Sequence, residues 1–404
     1  MKKIFCLFLL IILFSGCSVT PVEQETTGFL SVETEPTEIP ESNLPTEPTT
    51  YSTGPAEVEE EITAVDTAPQ LDPAETVLNQ MTLEEKVGQL FLVACPDADA
   101  AAEIQKYHFG GFVLFGKDVD GKTPDSLRGW IGECQQVSKI PMLFAVDEEG
   151  GSVCRVSAVE AFRSNRFSSP GFLYAQGGLD LLLMTETEKC ELLKSVGINV
   201  NLAPVCDIAT DPNAFMYSRS LRLGPEETAD TIRSIVVLMK QMQVGSVLKH
   251  FPGYGNNTDT HVAMALDERT LDQLERKDLL PFRAGISSGA DAIMVSHTIV
   301  TALDDQMPAS LSDPVHTYLR ENMGYAGVII TDDLQMGAIT DTFGRGESAV
   351  LAVLAGNDLL CTWEYEEQYA AVLEAVQTGA ISCEQLDRAV LRILRWKQDL
   401  GLLV

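Results

Sequence analysis

Short apolar runs recur along the chain from residue 90 onward, each followed by a polar stretch and then by apolar positions at helical spacing. The runs cover 90–93, 111–115, 141–146, 199–205, 246–249, 292–296, 328–331 and 358–361, eight in all. They are nearly continuous in apolar residues, as expected of parallel strands buried on both faces. Between them, 226–243 places Ile232, Ile235, Val236, Met239 and Met242 on one helical face, and 274–287 reads as another helix. Eight strand–helix units predict an α/β fold, a closed (β/α)8 barrel of the TIM type filling one domain over 76–404. The alternative is an open doubly wound sheet, against which stands the lack of a glycine-rich turn after the first strand.

The chain ahead of that domain reads differently. Met1-Lys2-Lys3, an apolar run over 4–14 and Ser15-Gly16-Cys17 have the layout of a secretory signal. The run is shorter than the roughly 20 apolar residues that a membrane-spanning helix needs. Phe14-Ser15-Gly16-Cys17 resembles a bacterial lipobox, with Phe where Leu is usual. That resemblance implies that Cys17 is lipidated and becomes the mature N-terminus; the competing reading is an ordinary cleavage site that contains a Cys. Over 18–75 the chain is Thr, Glu and Pro with few large apolar residues, too little to offset its chain entropy, and is expected to be a disordered linker. No basic residue occurs between Lys3 and Lys86, so like charges keep this tether extended. With a formal net charge of -31, nucleic acid and anionic lipid are excluded as partners. The only membrane contact expected is the lipid anchor, on the extracytoplasmic face of a bacterial membrane.

Seven of nine cysteines lie beyond the targeting segment, far apart and without metal-ligand spacing. They suggest neither a disulfide framework nor a zinc site, and most read as small buried apolar residues. No metal or cofactor is expected.

In such a barrel, chemistry belongs at the carboxyl ends of the strands. Asp147 follows the third run, Lys249-His250 end the fifth, His297 follows the sixth and Asp332-Asp333 follow the seventh. Of five histidines, His250, His261 and His297 fall in these positions. After His250, Pro252, Gly253 and Gly255 force an irregular loop that leads to Asp259 and His261. An Asp two residues before a His can orient the imidazole for proton transfer; equally, Asp259 can close an Asx-turn beside an exposed His261. Lys249 and His250 read either as site residues or as a satisfied core pair. Trp363 and Tyr365 read more naturally as packing at a helix start than as a sugar-stacking face.

The segment from Lys249 to His261 is similar to the KHFPGHG…DSH signature of family 3 glycoside hydrolases, in the β-N-acetylhexosaminidase branch. Further motifs of that branch follow in order. Asp147-Glu148-Glu149-Gly150-Gly151-Ser152-Val153-Cys154-Arg155 looks like its acidic, glycine-rich turn. Asn199 to Asp207 resembles its strand-four motif, Tyr217-Ser218-Arg219-Ser220-Leu221 its arginine loop, and Thr331 to Met336 its nucleophile turn.

What the resemblance implies is a retaining exo-hydrolase acting on terminal β-linked N-acetylhexosamine of an oligosaccharide. Asp332 is the implied nucleophile and His261 the implied acid/base, oriented by Asp259. Asp147, Arg155, Arg219, Lys249 and His250 map onto positions that bind the terminal sugar; a structural ion-pair network is their other reading. Asp333 is expected to cap the following helix. Two departures bear on His261: Tyr254 replaces the usual His, and the stretch from His250 to His261 is one residue shorter than in the commonest form. Rival readings are a metal-dependent barrel hydrolase, a non-catalytic sugar-binding lipoprotein, and a β-glucosidase or phosphorylase of the same family.

Overall fold

The computed structural model describes residues 72–97, 99–255 and 265–403, which fall within one compact unit, Thr67–Val404. The signal segment, Cys17, nearly all of the linker, Asp259 and His261 lie outside the described residues. Among those described, no helix is long and apolar enough to cross a membrane.

Eight parallel strands form one sheet: β1 (Phe91–Ala94), β2 (Gly111–Leu114), β3 (Leu143–Val146), β4 (Val200–Asn201), β5 (Gly245–Phe251), β6 (Ala292–Val295), β7 (Val328–Thr331) and β8 (Leu360–Thr362). Their spatial order is β8-β1-β2-β3-β4-β5-β6-β7. A parallel bridge between Ile330 and Leu359 joins β7 to β8, with Thr331 N–H donating to the Leu359 carbonyl at 3.1 Å. The sheet therefore closes on itself, and the open-sheet alternative falls.

All eight runs form strands, with boundary differences that have local causes. Only Val200–Asn201 of the fourth run enters the regular ladder: the Ala203 N–H turns back to the Asn201 carbonyl at 2.8 Å, and Pro204 has no N–H to donate. The chain still follows β5 as far as Cys206, whose N–H donates to the Lys249 carbonyl at 2.7 Å. Strand β5 itself extends to Phe251, so Lys249 and His250 lie within it.

Helix Pro225–Gln241 buries Ile232, Ile235, Val236 and Met239 against β5 and its neighbours. The stretch expected as one helix over 274–287 is two, Leu271–Arg276 and Leu279–Ser287, broken at Lys277 with φ -131° and ψ -78°. Asp278 at the break is drawn into an ion pair with Arg269 at 2.6 Å, which continuous helical geometry is not required to supply. Of the seven cysteines in this unit six are buried and Cys383 is exposed, and all seven are free.

Candidate active site

The residues that matter sit at the carboxyl ends of the strands, and the loop after β3 brings most of them together. Glu148, fully buried, folds that loop back: its carboxylate accepts from the backbone N–H groups of Arg155 (2.9 Å), Val156 (2.8 Å) and Ser157 (3.3 Å) and from the Ser157 hydroxyl. Its own N–H donates to Asn201 on β4 at 3.0 Å. Gly150 makes the turn possible, since its φ is +106° and a Cβ there would lie 2.4 Å from the Ser168 carbonyl oxygen.

The fold so arranged carries Asp147 and Glu149 toward Lys249 of β5. Lys249 Nζ lies 2.7 Å from Asp147 Oδ1 and 2.7 Å from Glu149 Oε1, with only 2% of the side chain exposed. Arg219, from the loop after β4, clasps Glu149 with both ends of its guanidinium, Nε to Oε2 at 2.9 Å and Nη2 to Oε1 at 2.6 Å. Burial by itself would raise the Glu149 carboxyl, but the charges of Lys249 and Arg219 prevail and hold it well below the usual carboxylate range. Burial likewise opposes the charge on Lys249, and Asp147 and Glu149 reverse that and raise it above the usual lysine value.

His250 continues the network. Its Nδ1 is 2.8 Å from Asp207 Oδ2 and its Nε2 3.4 Å from Arg219 Nη2. A guanidinium can only donate, so Nε2 accepts and Nδ1 carries the proton toward Asp207. The other Asp207 oxygen accepts the Tyr254 N–H at 2.7 Å, fixing the chain just after β5. Arg155 stands at the outer edge, its Nη2 3.6 Å from Asp147 Oδ2 and its Nε buried without a hydrogen-bond partner among the described residues.

Across the mouth, the turn after β7 presents Asp332. Its N–H donates to the Val295 carbonyl at 2.9 Å, and its Oδ1 accepts the Asp333 N–H at 2.9 Å. Asp333 accepts from Gln335 N–H at 2.9 Å and so closes a tight turn; it does not cap the helix that follows, Gly337–Thr340, whose N-cap is Met336. Beneath the mouth the Cys361 thiol is pushed well up, first by burial and then by the charges of Asp333, Asp332 and Asp147.

The structure thus gathers Asp147, Arg155, Arg219, Lys249 and His250 into one network. Glu149 and Asp207 complete it and were absent from the sequence-based set. Both lie inside the motifs quoted for the resemblance, and the signal that could have found them is charge balance: buried cationic side chains at the barrel mouth need acidic partners. A separate cavity of about 570 Å³ opens among Gln135, Pro141, Gly197, Asn199 and Gln243, residues that precede strands and therefore mark the opposite face.

Residues 82–396 match the family described as "Glycosyl hydrolase family 3 N terminal domain". The chain belongs to glycosyl hydrolase family 3. Among its relatives in that family, "Beta-hexosaminidase A" of Pseudoalteromonas piscicida is 30% identical over 325 residues, covering 74% of this chain and 54% of that protein. "Beta-hexosaminidase LpqI" of Mycobacterium tuberculosis is 30% identical over 325 residues, covering 78% of this chain and 82% of that one. The solved family 3 β-N-acetylglucosaminidase of Paenibacillus sp. superposes with a TM-score of 0.74 at 34% identity, over 80% of this chain and 63% of that chain. The chain therefore spans about half the length of the first relative and somewhat under two thirds of the Paenibacillus protein.

Proposed function

We propose that this family 3 protein is a retaining exo-β-N-acetylhexosaminidase that removes terminal β-linked N-acetylhexosamine from oligosaccharides. The observation that carries the reading is the network of Asp147, Lys249, Glu149, Arg219 and His250 facing the Asp332 turn across the barrel mouth. The names borne by its relatives support the acetamido sugar as the substrate class.

The chemistry follows from the residues. Asp147 and Arg155, each partly exposed, offer an acceptor and donors to sugar hydroxyls. Lys249, Arg219 and His250 hold the acidic side of the network rigid, so that the ring is oriented before reaction. Asp332 attacks the anomeric carbon as the leaving oxygen takes a proton from His261, and a covalent glycosyl-enzyme forms. His261 then removes a proton from water, which displaces Asp332; two inversions give net retention. Asp259 orients His261. Export and a lipid anchor at Cys17 place this activity outside the cytoplasm.

The test compares hydrolysis of aryl 2-acetamido-2-deoxy-β-glucoside with the plain aryl β-glucoside, for the wild type and Asp332→Asn. Preference for the acetamido sugar, with a loss on the order of 1,000-fold or more in the variant, is the expected result. Turnover unchanged by Asp332→Asn would refute the mechanism.

A further inference from the structure

Trp363 is a large apolar side chain left exposed, at 41%, directly after β8. It is not the helix-start packing residue expected from sequence; Tyr365 fills that place, buried, with its hydroxyl on Glu103 at 2.9 Å. The Trp363 ring instead leans back across the end of β1 onto Phe115, which follows β2, with centroids 4.4 Å apart and planes at 40°. Phe115 also meets the Arg155 guanidinium, 5.9 Å from the ring centroid. Arg155 in turn faces Asp147. An aromatic wall thus runs from the sugar-binding network around the rim to β8.

That wall has a defined relation to Asp332. The turn bearing Asp332 is tied to the end of β8 by the Leu334 N–H, which donates to the Cys361 carbonyl at 3.0 Å, two residues before Trp363. Groups proposed to hold the terminal sugar come from β3, β4 and β5, and the proposed nucleophile comes from β7. Trp363 therefore stands on the arc of the rim between Asp332, after β7, and Arg155, after β3, where a second ring linked to a sugar held in the mouth can meet it. Charge does not compete for this place: Lys117, whose Nζ is 5.7 Å from the Trp363 centroid, is already paired with Asp97 and Asp118, and Arg345 is paired with Glu364 at 2.6 Å. The charged groups nearest the indole are thus already paired, which leaves its exposed ring surface to a neutral ligand.

We propose that Trp363 is the platform for the leaving-group sugar, stacking on the apolar face of the pyranose ring to which the terminal N-acetylhexosamine is β-linked. Phe115 supports the indole from behind. The inference rests on the activity reading above, and makes the enzyme's preference for a true oligosaccharide depend on a residue that touches neither the terminal sugar nor the proton transfer.

The experiment measures kcat/KM on N,N′-diacetylchitobiose, which has a second ring, and on 2-acetamido-2-deoxy-β-glucosyl fluoride, whose leaving group is a single atom. Trp363→Leu keeps an apolar contact with Phe115 but removes the stacking face; Trp363→Phe keeps a smaller one. Trp363→Leu is expected to lower kcat/KM on the disaccharide about tenfold and to leave the fluoride unchanged, with Trp363→Phe intermediate. Equal losses on both substrates, or no loss on the disaccharide, would overturn the proposal. A wild-type protein that cleaves the fluoride but not the disaccharide also overturns it, leaving the activity reading intact. Cleavage of neither removes both.

Discussion

His297 Nε2 lies 2.8 Å from the backbone carbonyl oxygen of Asp333, while its Nδ1 lies 2.7 Å from the Ser310 hydroxyl. A carbonyl oxygen only accepts, so Nε2 carries the proton that it donates to Asp333. The imidazole is fully buried, and it joins the end of β6 to the turn that presents Asp332. The sequence places His297 among the histidines at the carboxyl ends of the strands; the structure makes it a buttress of that turn. Replacing it with Ala should lower kcat on aryl N-acetylglucosaminide by about 100-fold, the cost of a misplacement near one ångström, with little change in KM. Steady-state kinetics checks the split, and a dominant rise in KM would count against it. His297→Gln, which retains a donor, should recover part of the loss.

Asp207 should matter almost as much as the residues it orients. Its two oxygens hold His250 Nδ1 and the Tyr254 N–H at 2.8 and 2.7 Å. Asp207→Ala is expected to cost about 10- to 100-fold in kcat/KM, as loss of an orienting partner commonly does. A variant with wild-type kinetics would show that His250 needs no such partner.

Glu149→Gln leaves Lys249 and Arg219 buried with one acidic partner fewer. Breaking a buried pair in this way costs about 3–5 kcal/mol, measurable as a lower urea midpoint at pH 7. The pH dependence has a definite sign. Because the folded carboxyl is held below its unfolded value, its stabilisation is present above about pH 4.3 and is lost as pH falls toward the folded value. The variant should therefore unfold less steeply in acid than the wild type, and parallel acid-unfolding curves would contradict this.

Lys397 behaves in the opposite way. It is fully buried, its Nζ reaches Gln89 Oε1 at 2.6 Å, and burial depresses it to about 7. Here the folded value lies below the unfolded one, so the penalty is complete below about pH 7 and is relieved as pH rises toward 10.4. Lys397→Met should stabilise the protein at pH 7 by about 2–4 kcal/mol, and should remove the rise in stability that the wild type gains between pH 7 and 10. Thermal unfolding across that range checks both statements. A variant less stable than the wild type at pH 7 would mean that the Gln89 contact outweighs the desolvation cost.

The sequence by itself determined the barrel: near-continuous apolar strands must be covered on both faces, and eight of them at regular spacing leave few closed arrangements. It also determined where charge would collect, since Asp147, Lys249, His250 and Asp332 each lie in or just past the last residues of a strand. Local pattern does not specify which charges meet. Glu149 reaches Lys249 only because the sheet closes and Gly150 turns the chain, and Asp207 reaches His250 because β4 and β5 are neighbours. The same limit separates Trp363 from Tyr365, two aromatic residues two positions apart that local spacing treats alike. Tertiary packing decided between them, burying Tyr365 under the helix it begins and leaving Trp363 against Phe115, a partner far away in sequence and brought close by the closure of the barrel.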